Sequence, residues 1–197
     1  MFADLGATPL ANSYLRPEQL GQMEPYYPLR VFVCERCWLA QVESVVSAET
    51  IFGHYDYFSS FSESLLARSK AFAAGAVTRV GLRPGDRVVE VASNDGYLLQ
   101  YFRELGMDVF GIEPARNVAV DAIDRGVPTH VGFCGVSLGR ELASQGIRAR
   151  LVVANNVIAH VPAPCVMSAR LPLSMMAPLR EAGSAFGDAA YSTVPSP

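Results

Sequence analysis

The sequence predicts an α/β fold: a doubly wound parallel sheet of about four strands, preceded by a small β-rich segment. Three observations carry that prediction. Short apolar runs of strand length recur at Arg87–Ala92, Val109–Ile112, Val127–Val131 and Leu151–Asn155. Helical periodicity fills the intervals between them, giving the βαβαβαβ alternation of a parallel sheet. Before residue 50 the pattern differs, with a close cysteine pair set between two strand-like runs.

The whole composition is that of a globular chain. Half of its 197 residues are hydrophobic, enough to bury a core. A formal charge of −3, a single lysine (Lys70) and scattered arginines argue against a broad nucleic-acid surface. No apolar run approaches the ~20 residues of a membrane span, and the N-terminus lacks a secretory leader's basic-then-apolar layout. Four cysteines, two of them close together, point to a reducing compartment and to metal rather than disulfides, so a cytoplasmic location is expected.

In order along the chain, residues 1–50 read as a partial zinc-binding-like domain. Leu5–Asn12 is turn-rich; Tyr26–Val33 and Trp38–Val42 read as strands flanking Cys34-Glu35-Arg36-Cys37. Such a knuckle is half of a zinc ribbon, since a structural zinc takes four ligands and this pair supplies two. A redox pair would instead open a helix in a βαβ setting, and a lone loop histidine such as His54 is more often a surface residue than a ligand.

Residues 51–80 form an aromatic and serine-rich segment followed by a linker helix. Tyr55, Tyr57, Ser59 and Ser60 offer aromatic faces and hydroxyls of the kind a sugar uses, although a packed aromatic linker has the same composition. The helix is predicted from Ser62 to about Arg79, with Leu65, Leu66, Ser69, Phe72, Ala73 and Ala76 near one face.

Residues 81–162 hold the predicted ligand site. The strand Arg87–Ala92 runs into Ser93-Asn94-Asp95-Gly96, then a helix over Tyr97–Leu105, so free backbone N–H groups are expected to point at a polar ligand. Glu113 closes the next strand, at about the 20-residue spacing where an acid grips ribose hydroxyls in a doubly wound fold. With one glycine in the turn and a carboxylate at Asp95, the site suits S-adenosylmethionine better than a pyrophosphate, which wants three spaced glycines. An ordinary βαβ unit without a ligand is the alternative. Helices are predicted over Ala115–Arg125 and Ser137–Gln145. The fourth strand, apolar on both faces, reads as central in the sheet. Ligands in such sheets lie beyond the carboxyl ends of the strands, which places Glu90–Gly96, Glu113 and Asn155–His160 on one rim.

Three segments in this order carry a resemblance: Glu90-Val-Ala-Ser-Asn-Asp-Gly-Tyr-Leu-Leu, Gly111-Ile-Glu-Pro-Ala and Ala154-Asn-Asn-Val-Ile-Ala-His-Val-Pro. From about Leu5 to Pro162 the chain resembles the S-adenosylmethionine-dependent sugar C-methyltransferases, which methylate carbon 3 of nucleotide-linked 4-keto-deoxysugars. The resemblance implies a Rossmann-like class I methyltransferase core behind a zinc-binding domain. It implies cofactor contacts at Glu90, Ser93, Asn94, Asp95, Gly96, Glu113, Asn155 and Asn156, and substrate contacts at Tyr57, Ser59 and Ser60. Tyr57 and His160 are the implied catalytic residues, Cys34 and Cys37 a zinc half-site, and a small nucleotide-sugar the substrate. Chemically it implies removal of the acidic proton beside the ketone, followed by attack of the enolate on the sulfonium methyl.

After Pro162 the text changes. Residues 163–197 bring five prolines among alanines, serines and methionines, and read as an atypical, disordered tail. The family's first cysteine pair, its later Glu-His segment with the general base and its last domain find no match, so truncation at both ends and weak or absent turnover are expected. A non-catalytic cofactor-binding or interaction fragment, left by a gene remnant, is the second reading.

Overall fold

The structure is a computed structural model and describes residues 1–43 and 45–157. His160 and the tail 163–197 lie outside the described residues. The chain divides into two compact units, Met1–Tyr57 and Phe58–Pro197.

The first unit is built on a three-stranded antiparallel sheet in the order β1-β2-β3, with β1 Ala3–Thr8, β2 Tyr27–Val33 and β3 Ala40–Val42. β2 and β3 are the two strands read around the cysteine pair. β1 corrects the turn-rich reading of Leu5–Asn12. Its pairing with β2 shifts between Asp4 and Ala7, where Gly6 takes φ +80° and its N–H bonds the Asp4 carboxylate at 2.9 Å. That bulge breaks the alternation that would announce a strand. A short helix, α1 (Ala48–Phe52), also went unread; Ser47 caps it by accepting from the Thr50 N–H at 3.2 Å.

The second unit carries four parallel strands in the order β6-β5-β4-β7: β4 Arg87–Val91, β5 Asp108–Glu113, β6 Thr129–Val131 and β7 Leu151–Val153. Helices α2 (Glu63–Val80), α3 (Leu99–Glu104), α4 (Arg116–Asp124) and α5 (Val136–Ser144) accompany them. Among the described residues β4 pairs with both β5 and β7 and is central, while β7 pairs with β4 alone. Strand alternation sends β4 side chains to opposite faces. Val88 joins Leu98, Leu99, Phe102, Val109 and Val153 in one cluster; Val89 joins Ile112, Leu138, Leu142 and Ala149 in another. Two cores on opposite faces are what a doubly wound sheet requires. Because β5 and β6 extend to one side of β4 while β7 adds on the other, the strand order reverses at β4, where such sheets form a crevice.

The helix read as a linker belongs to this unit. Ser69 and Ala73 of α2 are buried, and Leu65, Leu66, Ala76 and Val77 pack on the first core cluster. Ser62 caps α2 by accepting from the Leu65 N–H at 3.3 Å, and Gly81 closes it in the left-handed conformation. Changing Ser62 to alanine should cost about 0.5–2 kcal/mol. In a chain of this size that lowers the thermal midpoint by roughly 2–4 °C per kcal/mol, measurable by circular dichroism. No helix among the described residues is long and apolar enough to cross a membrane.

Candidate cofactor site

The site is built where β4 ends. The chain reverses through Ala92–Gly96 with φ of +54° at Ala92, +50° at Asn94 and +76° at Gly96. For an alanine that conformation costs on the order of 1–2 kcal/mol, so the turn holds strain at the rim of the sheet. Gly96 is needed twice over. Its φ disfavours a side chain, and a Cβ there would sit 3.1 Å from the Val127 Cγ2. Ser93 lies flat on β5, with its N–H bonded to the Ile112 carbonyl at 3.2 Å. A Cβ on Gly111 would strike the Ser93 Oγ and lie 2.7 Å from the Thr129 Oγ1.

Glu113 folds back over this turn. One carboxylate oxygen accepts from the Asn94 N–H and the other from the Ala115 N–H, both at 2.9 Å. Burial pushes its pKa up, these two amides pull it back down, and the nearby Asp95 adds to the rise. Glu90 is fully buried, and both of its oxygens, with the Ser93 Oγ and the Asp95 Oδ1, have no partner among the described residues. Burial first, then Glu113 and Asp95, hold the Glu90 carboxyl well above the usual carboxylate range.

Three amides of the turn are engaged within the protein. The Asn94 N–H is taken by Glu113, the Ser93 N–H by Ile112 and the Gly96 N–H by the Ser93 carbonyl at 3.0 Å. α3 starts at Leu99, two residues later than predicted. Unpartnered buried oxygens on Glu90 and Asp95, beside the Glu113 carboxylate, fit hydroxyl and ammonium groups, which donate; they oppose a pyrophosphate, which needs donors and positive charge.

Ser59 and Ser60 arrive at the same turn by their main chain. The Ser59 N–H bonds the Asn94 Oδ1 at 2.8 Å and the Ser60 N–H bonds the Asp95 Oδ2 at 3.2 Å. Arg125, just past α4, donates from Nη1 to the Ser60 Oγ at 2.9 Å and to the Asp95 Oδ2 at 3.2 Å. Sequence reasoning missed Arg125. It stood as the last residue of a predicted helix, and nothing local ties it to a turn thirty residues earlier. Asn155 and Asn156 form the turn after β7, with φ +55° at Asn156. Pairing of Glu90 with Val153 brings β7 out on the same edge as the Ala92–Gly96 turn.

Tyr57 belongs to the first unit, 43% exposed, with its ring edge-on to Tyr55 at 6.3 Å. There Cys34 and Cys37 sit in the β2–β3 connection, where the Cys34 N–H bonds the Leu39 carbonyl at 3.0 Å and Trp38 turns with φ +62°. The Cys34 thiol is lowered by N–H groups of Cys37 and Arg36 directed at its sulfur and by the Cys37 side chain. That donor set suits a zinc thiolate. Among the described residues, however, no group of three or more His, Cys, Asp or Glu comes together, so the pair supplies two of four ligands. His54 is exposed and paired with Asp56 at 3.1 Å.

Comparison with known proteins agrees with the motifs. Residues 1–52 match the family model Methyltransf_13, described as a putative zinc binding domain. Over 157 residues, 80% of this chain, the sequence is 41% identical to the C-methyltransferase NovU of Streptomyces niveus and spans 37% of that relative's length. Among solved structures, the plantazolicin methyltransferase BpumL in complex with SAH is similar at a TM-score of 0.45 and 12% identity, over 58% of this chain and 45% of that one. The glycopeptide N-methyltransferase MtfA complexed with sinefungin is similar at 0.43 and 18%, over 56% and 46%. The chain thus spans about a third of the length of the C-methyltransferase it matches, and its N-terminal segment is similar to the zinc-binding domain of the family model.

Proposed function

We propose that the chain binds S-adenosylmethionine at the Ala92–Gly96 turn, and that its reaction is C-methylation of a nucleotide-linked 4-keto-deoxysugar in the cytoplasm. One observation carries this reading. Glu90, Asp95 and Glu113 converge from β4, its turn and β5; both Glu90 oxygens and the Asp95 Oδ1 are buried without a partner among the described residues, and a donor-bearing ligand would satisfy them. When bound, S-adenosylmethionine supplies an electrophilic methyl group on a sulfonium. The residues of this chain do the rest. Glu113 takes the ribose hydroxyls, Glu90 and Asp95 take the cationic end, Ser93, Asn94 and Gly96 shape the turn, and Asn155 and Asn156 line the neighbouring rim. Tyr57, Ser59 and Ser60 contact the sugar, and His160 accepts the proton beside the ketone, leaving a carbon nucleophile. A positioned base contributes typically ~10²–10⁴-fold, and orientation of the reactants much of the remainder. Zinc, if held by Cys34 and Cys37, is structural.

The test is transfer of labelled methyl to a 4-keto-deoxysugar nucleotide. Label on the carbon beside the ketone supports the proposal; binding of the cofactor without transfer removes its catalytic half. Glu113→Ala should weaken S-adenosylmethionine binding roughly 10- to 100-fold, because it deletes charge-assisted acceptors and frees the Asn94 and Ala115 amides together. Calorimetric titration measures that loss.

A further inference from the structure

We infer that Arg125 is a positioning residue, which fastens Ser59–Phe61 to the acidic turn and thereby aims the free oxygen of Asp95 at the ligand. The inference rests on the cofactor reading above. Asp95 is buried at 1% exposure, yet its two oxygens differ. Oδ2 accepts from the Ser60 N–H and from Arg125 Nη1, each at 3.2 Å, while Oδ1 is buried without a partner. Fixing one oxygen of a planar carboxylate fixes the other, so these two donors set the direction in which Oδ1 faces. Nη1 of Arg125 spends its second hydrogen on the Ser60 Oγ at 2.9 Å, and Nη2 is steadied by Asp121 at 3.7 Å. One guanidinium nitrogen thus bridges the two sequence segments expected to hold substrate and cofactor.

The bridge has a charge consequence as well. Glu90, Asp95 and Glu113 crowd together, and Arg125 places a cation beside Asp95 from a position 40% exposed to water. A donor-bearing ligand that engages Asp95 Oδ1 and a turn that engages Oδ2 stabilise the same carboxylate geometry. Linkage then makes each favour the other.

The experiment combines amide hydrogen exchange and calorimetry on the full chain, with S-adenosylmethionine as the probe. In Arg125→Gln the Ser59 and Ser60 amides should exchange at least roughly 10-fold faster while Val88 and Val89 keep their rates. The affinity should fall about 10-fold, as expected for a lost charged hydrogen bond. Arg125→Lys, whose ammonium can donate to both oxygens, should recover most of both readouts, which a mere packing role would not predict. Ser60→Ala, retaining the Arg125–Asp95 pair, should loosen the amides with a smaller loss of affinity, and it serves if Arg125→Gln does not fold. Wild-type exchange and affinity in Arg125→Gln, or equal acceleration at Val88 and Val89, would overturn the inference. If the wild type binds no S-adenosylmethionine while Arg125→Gln still frees the two amides, the fastening role stands and the cofactor reading falls.

Discussion

Glu90→Gln is expected to make the protein more stable and a weaker cofactor binder. The Glu90 carboxyl is completely buried on the central strand, without a partner among the described residues, and faces the charges of Glu113 and Asp95. A buried group in that position costs on the order of 1–3 kcal/mol, more when charged, and the amide of glutamine removes the charged form altogether. The gain should raise the thermal midpoint by roughly 2–4 °C per kcal/mol. The pH dependence gives the sign. A carboxyl whose folded pKa lies above its unfolded value keeps its proton in the folded state after the unfolded chain has lost it. Stability is therefore greatest below the ordinary carboxylate range and falls as the pH rises toward the raised folded value. Glu113 shifts the same way and adds to the decline. Melting curves from about pH 5 to about pH 8 should fall for the wild type and flatten in Glu90→Gln. A variant that melts lower and binds as well as the wild type would contradict this account of Glu90.

Gly111→Val should have the larger effect, and on both properties together. Gly111 faces Glu90 across the β4–β5 ladder, and the Ser93 side chain rests where its Cβ would be, with the Thr129 Oγ1 on the other flank. Valine would put three carbons into that space. Overpacking of a closed site costs about 1–3 kcal/mol and sometimes more. The strain falls on the strand-to-turn joint, so Ser93 must lift and carry Asn94 and Asp95 with it. Loss of detectable S-adenosylmethionine binding together with a lower midpoint is the expected result, read by titration and thermal melts on one sample. Unchanged binding would mean that the turn does not depend on its seat against β5.

These two positions also show what a sequence can and cannot disclose. The α/β alternation, the four parallel strands and the acid at the end of β5 were legible because strand and helix periods write themselves into the order of apolar residues. Boundaries moved by a residue or two: the third strand, predicted from Val127, begins at Thr129, and α5 runs Val136–Ser144. The hidden features were those decided by contacts distant in the chain. β1 was masked by the bulge at Gly6. Glu113 was read as a ribose ligand from spacing; that it ties down the Asn94 and Ala115 amides depends on how two loops meet. The same holds for Gly111 beneath Ser93, and for Arg125, which reaches Asp95 only after α4 has been laid on the sheet.

The most direct test is a pair of calorimetric titrations on the wild-type chain, one with S-adenosylmethionine and one with NAD. A rim of buried acceptors predicts saturable one-site binding of the sulfonium compound and no measurable uptake of the pyrophosphate-bearing dinucleotide. Binding of NAD in preference, or heat from neither ligand, would contradict the claim that the three acids form a cofactor site.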